Sequence, residues 1–123
     1  MENKPNIIVL RTFNFSKDII KLYINLKKDR VFELASQLFR SATSIGANVE
    51  EAQAAQSKKD FISKMSIAAK EARETRYWLR LLNETELSNN DVKLLLKENE
   101  EIINILTKIV KTSAENTHSK FII

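Results

Sequence analysis

Apolar residues recur along this chain at spacings of three and four, the pattern of helices that each bury one face. The first such row is Ile19, Leu22, Tyr23 and Leu26, widened by Ile20 and Ile24. Ser16 is placed to cap it, Asp18 suits its first turn, and Lys27-Lys28-Asp29 ends it. A second helix is predicted over 31 to about 55, with Leu34, Leu38, Ala42, Ile45 and Val49 inside and Ala35 and Phe39 flanking. Gly46 lies within it. At a cost of up to about 1 kcal/mol relative to Ala, it marks either a close helix contact or a bend. The third helix runs from about 59 to 83 on Phe61, Met65, Ala68, Ala72, Leu79 and Leu82. Residues 84–90 form a loop in which Ser88 or Asn89 is placed to cap the last helix. That helix carries Val92, Leu95, Leu96, Ile102, Ile103, Leu106, Ile109 and Val110.

Amphipathic helices joined by short connections bury their stripes against one another. The expected fold is therefore all-α, an antiparallel up-down four-helix bundle. It forms one domain over residues 1–123, with a short N-terminal arm over 1–14 and a frayed, aperiodic tail over 113–123. Ile7-Ile8-Val9-Leu10 in the arm is too short to classify, and reads as a strand or as a cover strapped over the bundle. Phe121-Ile122-Ile123 is apolar for a loose end.

Composition narrows the alternatives. One Gly and one Pro in 123 residues are too few for the turns of a sandwich or barrel. The absence of Cys excludes disulfides, thiol catalysis and thiolate-bound metals. Glu115-x-x-His118 matches half of a di-iron bundle motif, which needs a second copy, and His118 is the only histidine. No metal and no cofactor are expected. No apolar run approaches the roughly 18 residues of a membrane span, and Met1–Leu10 lacks the pattern of a signal peptide. The expected compartment is the cytoplasm, with no membrane partner.

Twenty Lys and Arg face sixteen Asp and Glu, a net charge of +4. The excess concentrates on the third helix, whose outer face is read as Lys64, Lys70, Arg73, Arg76 and Arg80 against Glu71 and Glu74. Lys58 and Lys59 extend it. Lys58, Lys59, Arg73, Arg76 and Arg80 are the candidate phosphate contacts for structured RNA or DNA. Tyr77 and Trp78 could stack on bases or serve as core and subunit contacts. On the second helix, Ser41, Ser44, Asn48 and Glu51 form a polar row near the apolar stripe. It is read as small polar groups that let helices pack closely, with Ser66 and Glu71 as available partners. The pairs Glu50/Glu51, Glu71/Glu74 and Glu98/Glu101 are read as surface ion-pair partners. An enzyme would need a pocket holding Glu51 or Glu71, and both are expected to be occluded.

The stretch Arg40-Ser41-x-x-Ser44-Ile45-x-x-Asn48-Val49-x-Glu51 resembles the hallmark of a four-helix bundle family. That family is named after the protein encoded in intervening sequences of some bacterial 23S ribosomal RNA genes. Lys58-Lys59-Asp60-Phe61, Ile67-Ala68, Lys70-Glu71-Ala72 and Glu74-Thr75-x-Tyr77-Trp78-Leu79 are similar to its next segment, so the resemblance spans residues 12 to 112. It implies a compact bundle without enzyme activity, in a structural group whose members form pentameric rings. A related bundle is the accessory protein of diversity-generating retroelements, which works with a reverse transcriptase and binds nucleic acid. Gly46 and Ala52 stand where the family often has Pro and Gly, which predicts a second helix extended toward Ser57. The function expected is a non-enzymatic homo-oligomer, a pentamer by resemblance, that binds structured RNA or DNA through the third helix. The alternative is a protein–protein adaptor using exposed Phe13, Phe15, Trp78 or the C-terminal Phe-Ile-Ile.

Overall fold

The computed structural model describes the backbone of residues 6–122 and the side chains of residues 6–115. Four helices make up the described chain: α1 (Ile7–Lys28), α2 (Phe32–Gln53), α3 (Lys58–Glu84) and α4 (Lys93–Ile122). They form an antiparallel up-down bundle with no β-structure among the described residues. Each helix packs on its two ring neighbours, α1 on α2, α2 on α3, α3 on α4 and α4 back on α1. Among the described residues the backbones of the diagonal pairs stay more than 8 Å apart, so the outer faces of α1 and α3 point away from each other. Phe15, Ile19, Leu26, Leu38, Ile45, Met65, Leu79, Ile102 and Leu106 fill the centre.

The N-terminal arm is where the structure departs most from the sequence reading. Residues 7–14 are the first turns of α1, neither strand nor strap. Ile8 and Thr12 are buried, and the Thr12 hydroxyl donates to the Ile8 carbonyl at 2.8 Å. Ser16 caps nothing. It lies mid-helix beside Gly46, where α1 and α2 come close: a Cβ on Gly46 would sit 3.3 Å from the Thr12 carbonyl oxygen and 3.4 Å from Ser16 Oγ. Gly46 thus serves the close contact. Phe15, expected to be exposed, is buried, whereas Ile20 and Ile24 face solvent.

The other helix ends follow local chemistry. Leu26, Lys27, Asp29, Arg30 and Val31 close α1 in a Schellman motif. The Val31 N–H donates to the Leu26 carbonyl at 2.9 Å and the Arg30 N–H to that of Lys27 at 3.0 Å. Arg30 occupies the left-handed position, φ 66°, that glycine usually fills. α2 stops at Gln53, short of the extension toward Ser57. Ser57 caps α3 by accepting from the Asp60 N–H at 3.0 Å, while the Asp60 carboxylate accepts from the Gln56 N–H. At the start of α4 neither Ser88 nor Asn89 is the cap. Asp91 Oδ1 accepts from the Lys93 N–H at 3.0 Å, and Ser88 Oγ accepts instead from the Asn90 N–H. The tail expected to fray continues as helix to Ile122, because no Gly or Pro interrupts it. The expectations placed on the side chains of His118 and residues 121–123 lie outside the described residues.

Two substitutions test these joints by urea unfolding. Arg30→Gly should stabilise by about 0.5–1 kcal/mol, relief of left-handed strain exceeding the entropy of a freer unfolded chain. Gly46→Val should destabilise by about 1–3 kcal/mol, since the backbone of buried Thr12 cannot retreat from the added methyls.

Candidate nucleic-acid interface

Helix α3 presents one row of outward positions, spaced alternately four and three: Lys59, Ser63, Ser66, Lys70, Arg73, Tyr77, Arg80 and Glu84. At about 100° per residue they fall within an arc of about 100°. All are exposed except Ser66, which is half-buried. Among the described residues, Lys59, Lys70, Arg73 and Arg80 form no ion pair. The predicted set is thereby partly regrouped. Lys59, Arg73 and Arg80 share the ridge. Lys58 is exposed at its flank. Arg76 turns toward α4, where its Nη1 donates to both Glu100 oxygens at 3.1 Å. Lys64, read as part of the same face, falls on the opposite side of the helix and is half-buried. Lys70 and Tyr77 complete the ridge. Beside it, Ser66, Ala69 and Arg73 of α3 with Thr107, Val110 and Lys111 of α4 line a groove of about 240 Å³. Lys111 adds a cation that no periodicity in α3 could reveal.

The two acids counted against this face leave it. Glu71 and Glu74 turn to α2, where Arg40 Nη1 donates to Glu71 at 3.3 Å and Arg40 Nη2 to Glu74. Trp78 Nε1 donates to the same Glu74 at 3.0 Å. The Arg40 hydrogen bond, reinforced by Trp78 and opposed by partial desolvation, holds the Glu74 carboxyl below its ordinary pKa. Trp78 therefore faces the α2–α3 seam, lining a groove of about 460 Å³ with Phe32, Leu34 and Gln37. Tyr77, 54% exposed, is the aromatic ring left on the ridge. The two rings meet edge-on, centroids 5.1 Å apart.

The polar row of α2 does not act as one unit. Ser41 is fully buried and its Oγ shares a 2.8 Å hydrogen bond with Thr75 Oγ1 across the seam. Asn48 Nδ2 donates to the Ser44 carbonyl and hydroxyl at 2.9 and 3.1 Å, within α2. Glu51 is exposed, not occluded, and Glu71 keeps 16% side-chain exposure beneath Arg40. Of the other carboxylate pairs, Glu98 and Glu101 clamp Arg11. Its Nε and Nη2 donate to Glu98 at 2.9 and 2.7 Å, and Nη2 also reaches Glu101, tying α1 to α4. These bonds raise the Arg11 pKa, and the Arg11 hydrogen bond lowers that of Glu101. Asn99 is fully buried and donates to the Ala72 carbonyl at 3.2 Å. Sequence reading gave no signal for Arg11 or Asn99, and placed Thr75 in a motif without a role, because each is defined by a partner on another helix. Among the described residues, no three His, Asp or Glu side chains gather as a metal site.

A family model described as 23S rRNA-intervening sequence protein matches residues 4–108. The chain belongs to that family. The match begins earlier than the resemblance from residue 12, in keeping with the helical start of α1. A similar crystal structure is that of a protein of unknown function from the S23 ribosomal protein family of Bacteroides thetaiotaomicron. It is 41% identical, covers 86% of this chain and 96% of its own, and has a TM-score of 0.81. Comparison with curated proteins finds no match. In this intervening-sequence protein the two motifs meet at one seam: Arg40 and Ser41 from the first touch Glu71, Glu74 and Thr75 from the second. The motif residues thus hold α2 against α3. No helix of the described residues is long and apolar enough to cross a membrane.

The α2–α3 seam and the α1–α4 clamp share a pH signature. Glu74 and Glu101 are held below the carboxylate value of 4.5, so the unfolded chain takes up protons first as pH falls. Stability should be level above about pH 5 and drop as pH falls from 4.5 through the lowered values. Urea midpoints from pH 7 to pH 3 check this, and Glu74→Gln should flatten part of the drop.

Proposed function

We propose that this intervening-sequence family member is a non-enzymatic, self-associating cytoplasmic bundle that binds the phosphate backbone of structured RNA or DNA through α3. The observation that carries the reading is the ridge itself. Lys59, Lys70, Arg73 and Arg80 stand unpaired in one row around exposed Tyr77, and Glu84 is the lone acid, at its end. From Lys59 to Arg80 the row runs about 32 Å at 1.5 Å per residue, close to one turn of duplex. A straight line of flexible cations reads charge and shape, and offers no fork-to-base geometry for reading sequence. The family description supports RNA as the nucleic acid, since it names 23S rRNA, as does the S23 ribosomal family of the similar crystal structure. The resemblance to the nucleic-acid-binding accessory protein of diversity-generating retroelements points the same way.

Assembly strengthens the reading. A pentameric ring, the state implied by the family resemblance, would repeat the ridge five times and let weak single contacts act together. Light scattering of the 14.2 kDa chain tests it: a mass near five subunits is expected, and a mass of one chain overturns the ring.

Binding is tested by fluorescence anisotropy with a hairpin RNA across a salt series. Replacing Lys59, Lys70, Arg73 and Arg80 together with Gln should reduce the slope of log affinity on log salt by about 3.6, near 0.9 for each phosphate no longer neutralised. Arg76→Gln should change it little, since Glu100 already neutralises that guanidinium. Unchanged affinity and slope in the fourfold variant would overturn the α3 reading and leave the adaptor reading ahead.

A further inference from the structure

Helix α4 carries a second row of cations alongside the first. Lys93, Lys97, Asn104, Lys108, Lys111 and Glu115 follow one another at spacings of three, four and seven. At about 100° per residue they fall within an arc of about 60°, turned away from buried Asn99, Ile102, Ile103 and Leu106. The four lysines are exposed and form no ion pair among the described residues. From Lys93 to Lys111 the row runs about 27 Å. The acids that would cancel it are claimed from either flank. Arg76 of α3 holds Glu100 on one side, and Arg11 of α1 holds Glu98 and Glu101 on the other. Among the described residues Glu115 is the one acid within the arc, at its end, as Glu84 is on α3.

The rows of α3 and α4 flank one seam. Arg76 with Glu100, and Asn99 with the Ala72 carbonyl, hold the two antiparallel helices level, and the axes of packed helices lie about 8–10 Å apart. Ser66 and Thr107 line the groove in that seam, with Ala69 and Val110. Thr12, Thr43, Thr75 and Thr85 turn their hydroxyls back to a carbonyl of their own helix. The hydroxyls of Ser66 and Thr107 have no hydrogen-bond partner among the described residues. We propose that α3 and α4 together form a two-sided channel for a single, unpaired nucleic-acid strand. This rests on the nucleic-acid reading of α3 and narrows it to the unpaired stretches of a structured RNA or DNA. Phosphates along the strand would meet cations on both sides, the two hydroxyls would face its sugar–phosphate oxygens, and Tyr77 on the rim would stack on a base. Shape selects the strand. A duplex would rest on the two crests and leave the seam empty, and its backbones wind away from rows that run straight. Helix α1 is the contrast. Lys17, Lys21 and Lys28 are also exposed and without ion pairs among the described residues. They stand among exposed Leu10, Phe13, Ile20 and Ile24, and a groove lined by Asp18, Glu98 and Glu101 divides them from the α4 row.

A short labelled RNA of A and C only, which cannot pair with itself, tests the channel by anisotropy across a salt series, alone and annealed to its complement. The single strand should bind the full chain at least tenfold more tightly, although the duplex carries about twice the charge. Lys93→Gln, Lys108→Gln and Lys111→Gln together should reduce the slope of log affinity on log salt by about 2, near 0.7 for each phosphate of a single strand. Lys97 is left in place because it stands beside Glu101 in the α1–α4 groove. The charge-matched control, Lys17→Gln with Lys21→Gln and Lys28→Gln, should leave the slope unchanged. Tyr77→Ser should weaken strand binding about tenfold at an unchanged slope, and Tyr77→Phe should restore it. A duplex bound as tightly as the strand overturns the channel, and so does an equal loss of slope in the α4 and α1 variants. Either result leaves the α3 reading standing where the fourfold α3 variant still loses its slope. Failure of strand, duplex and hairpin alike to bind overturns both.

Discussion

The buried hydroxyl pair of Ser41 and Thr75, 2.8 Å apart, sets how α3 is turned against α2, and the charge layout follows from that rotation. With Thr75 pointing into the seam, Glu71 one turn before it and Glu74 next to it both come within reach of Arg40. The cations spaced between them are carried outward. A rotation of α3 by one residue's worth of angle, about 100°, would bring Glu71 or Glu74 onto the exposed row and cancel much of its charge. A hydrogen bond worth about 1 kcal/mol on its own thus has a consequence larger than its energy, because it goes with the face of α3 that meets α2. Each hydroxyl also has a carbonyl within its own helix, Leu38 for Ser41 and Glu71 for Thr75, so the pair is held from both sides.

This also explains what could be read in advance. The four helices and most of their buried residues were legible because apolar periodicity reports burial directly. The start of α1 was not. Ile7 through Leu10 is apolar at every position, so it carries no period, and Ser16 before Asp18 imitates a helix start. On the surface, counting charges along α3 located its cations but not how they are grouped. Composition adds Lys64 to Arg73 as equals, whereas angular position separates them and Glu100 removes Arg76. Whether an arginine is free or claimed depends on a carboxylate 24 residues away, and that distance is invisible to local spacing. The same holds for Asn99, a poor core residue by type: its Nδ2 finds the Ala72 carbonyl, while its Oδ1 is buried without a hydrogen-bond partner among the described residues.

The ring order of the helices gives the two exposed faces their relation. The backbones of α1 and α3 stay more than 8 Å apart and occupy diagonal corners, so the apolar and basic face of one looks away from the basic ridge of the other. The faces also differ in kind. On α3 the ridge holds charge around a single aromatic ring, with small serines between, which suits a solvated polyanion that keeps most of its water. On α1 the lysines sit among aliphatic and aromatic side chains, which favours a ligand that gives up its water. The two surfaces therefore discriminate by hydration, although both are positive.

The connection between them is rigid in a specific sense. α1 is held to α4 by the Arg11 fork and to α2 by the close approach at Gly46. α3 is held to α2 by the hydroxyl pair and Arg40. No element on the path has a second packing arrangement in view, and coupling between sites requires one. Neutralising lysines on the far side of a bundle, more than a Debye length of about 8 Å away, alters the ridge potential little at physiological salt. The architecture fixes the distance and direction between the outer faces of α1 and α3.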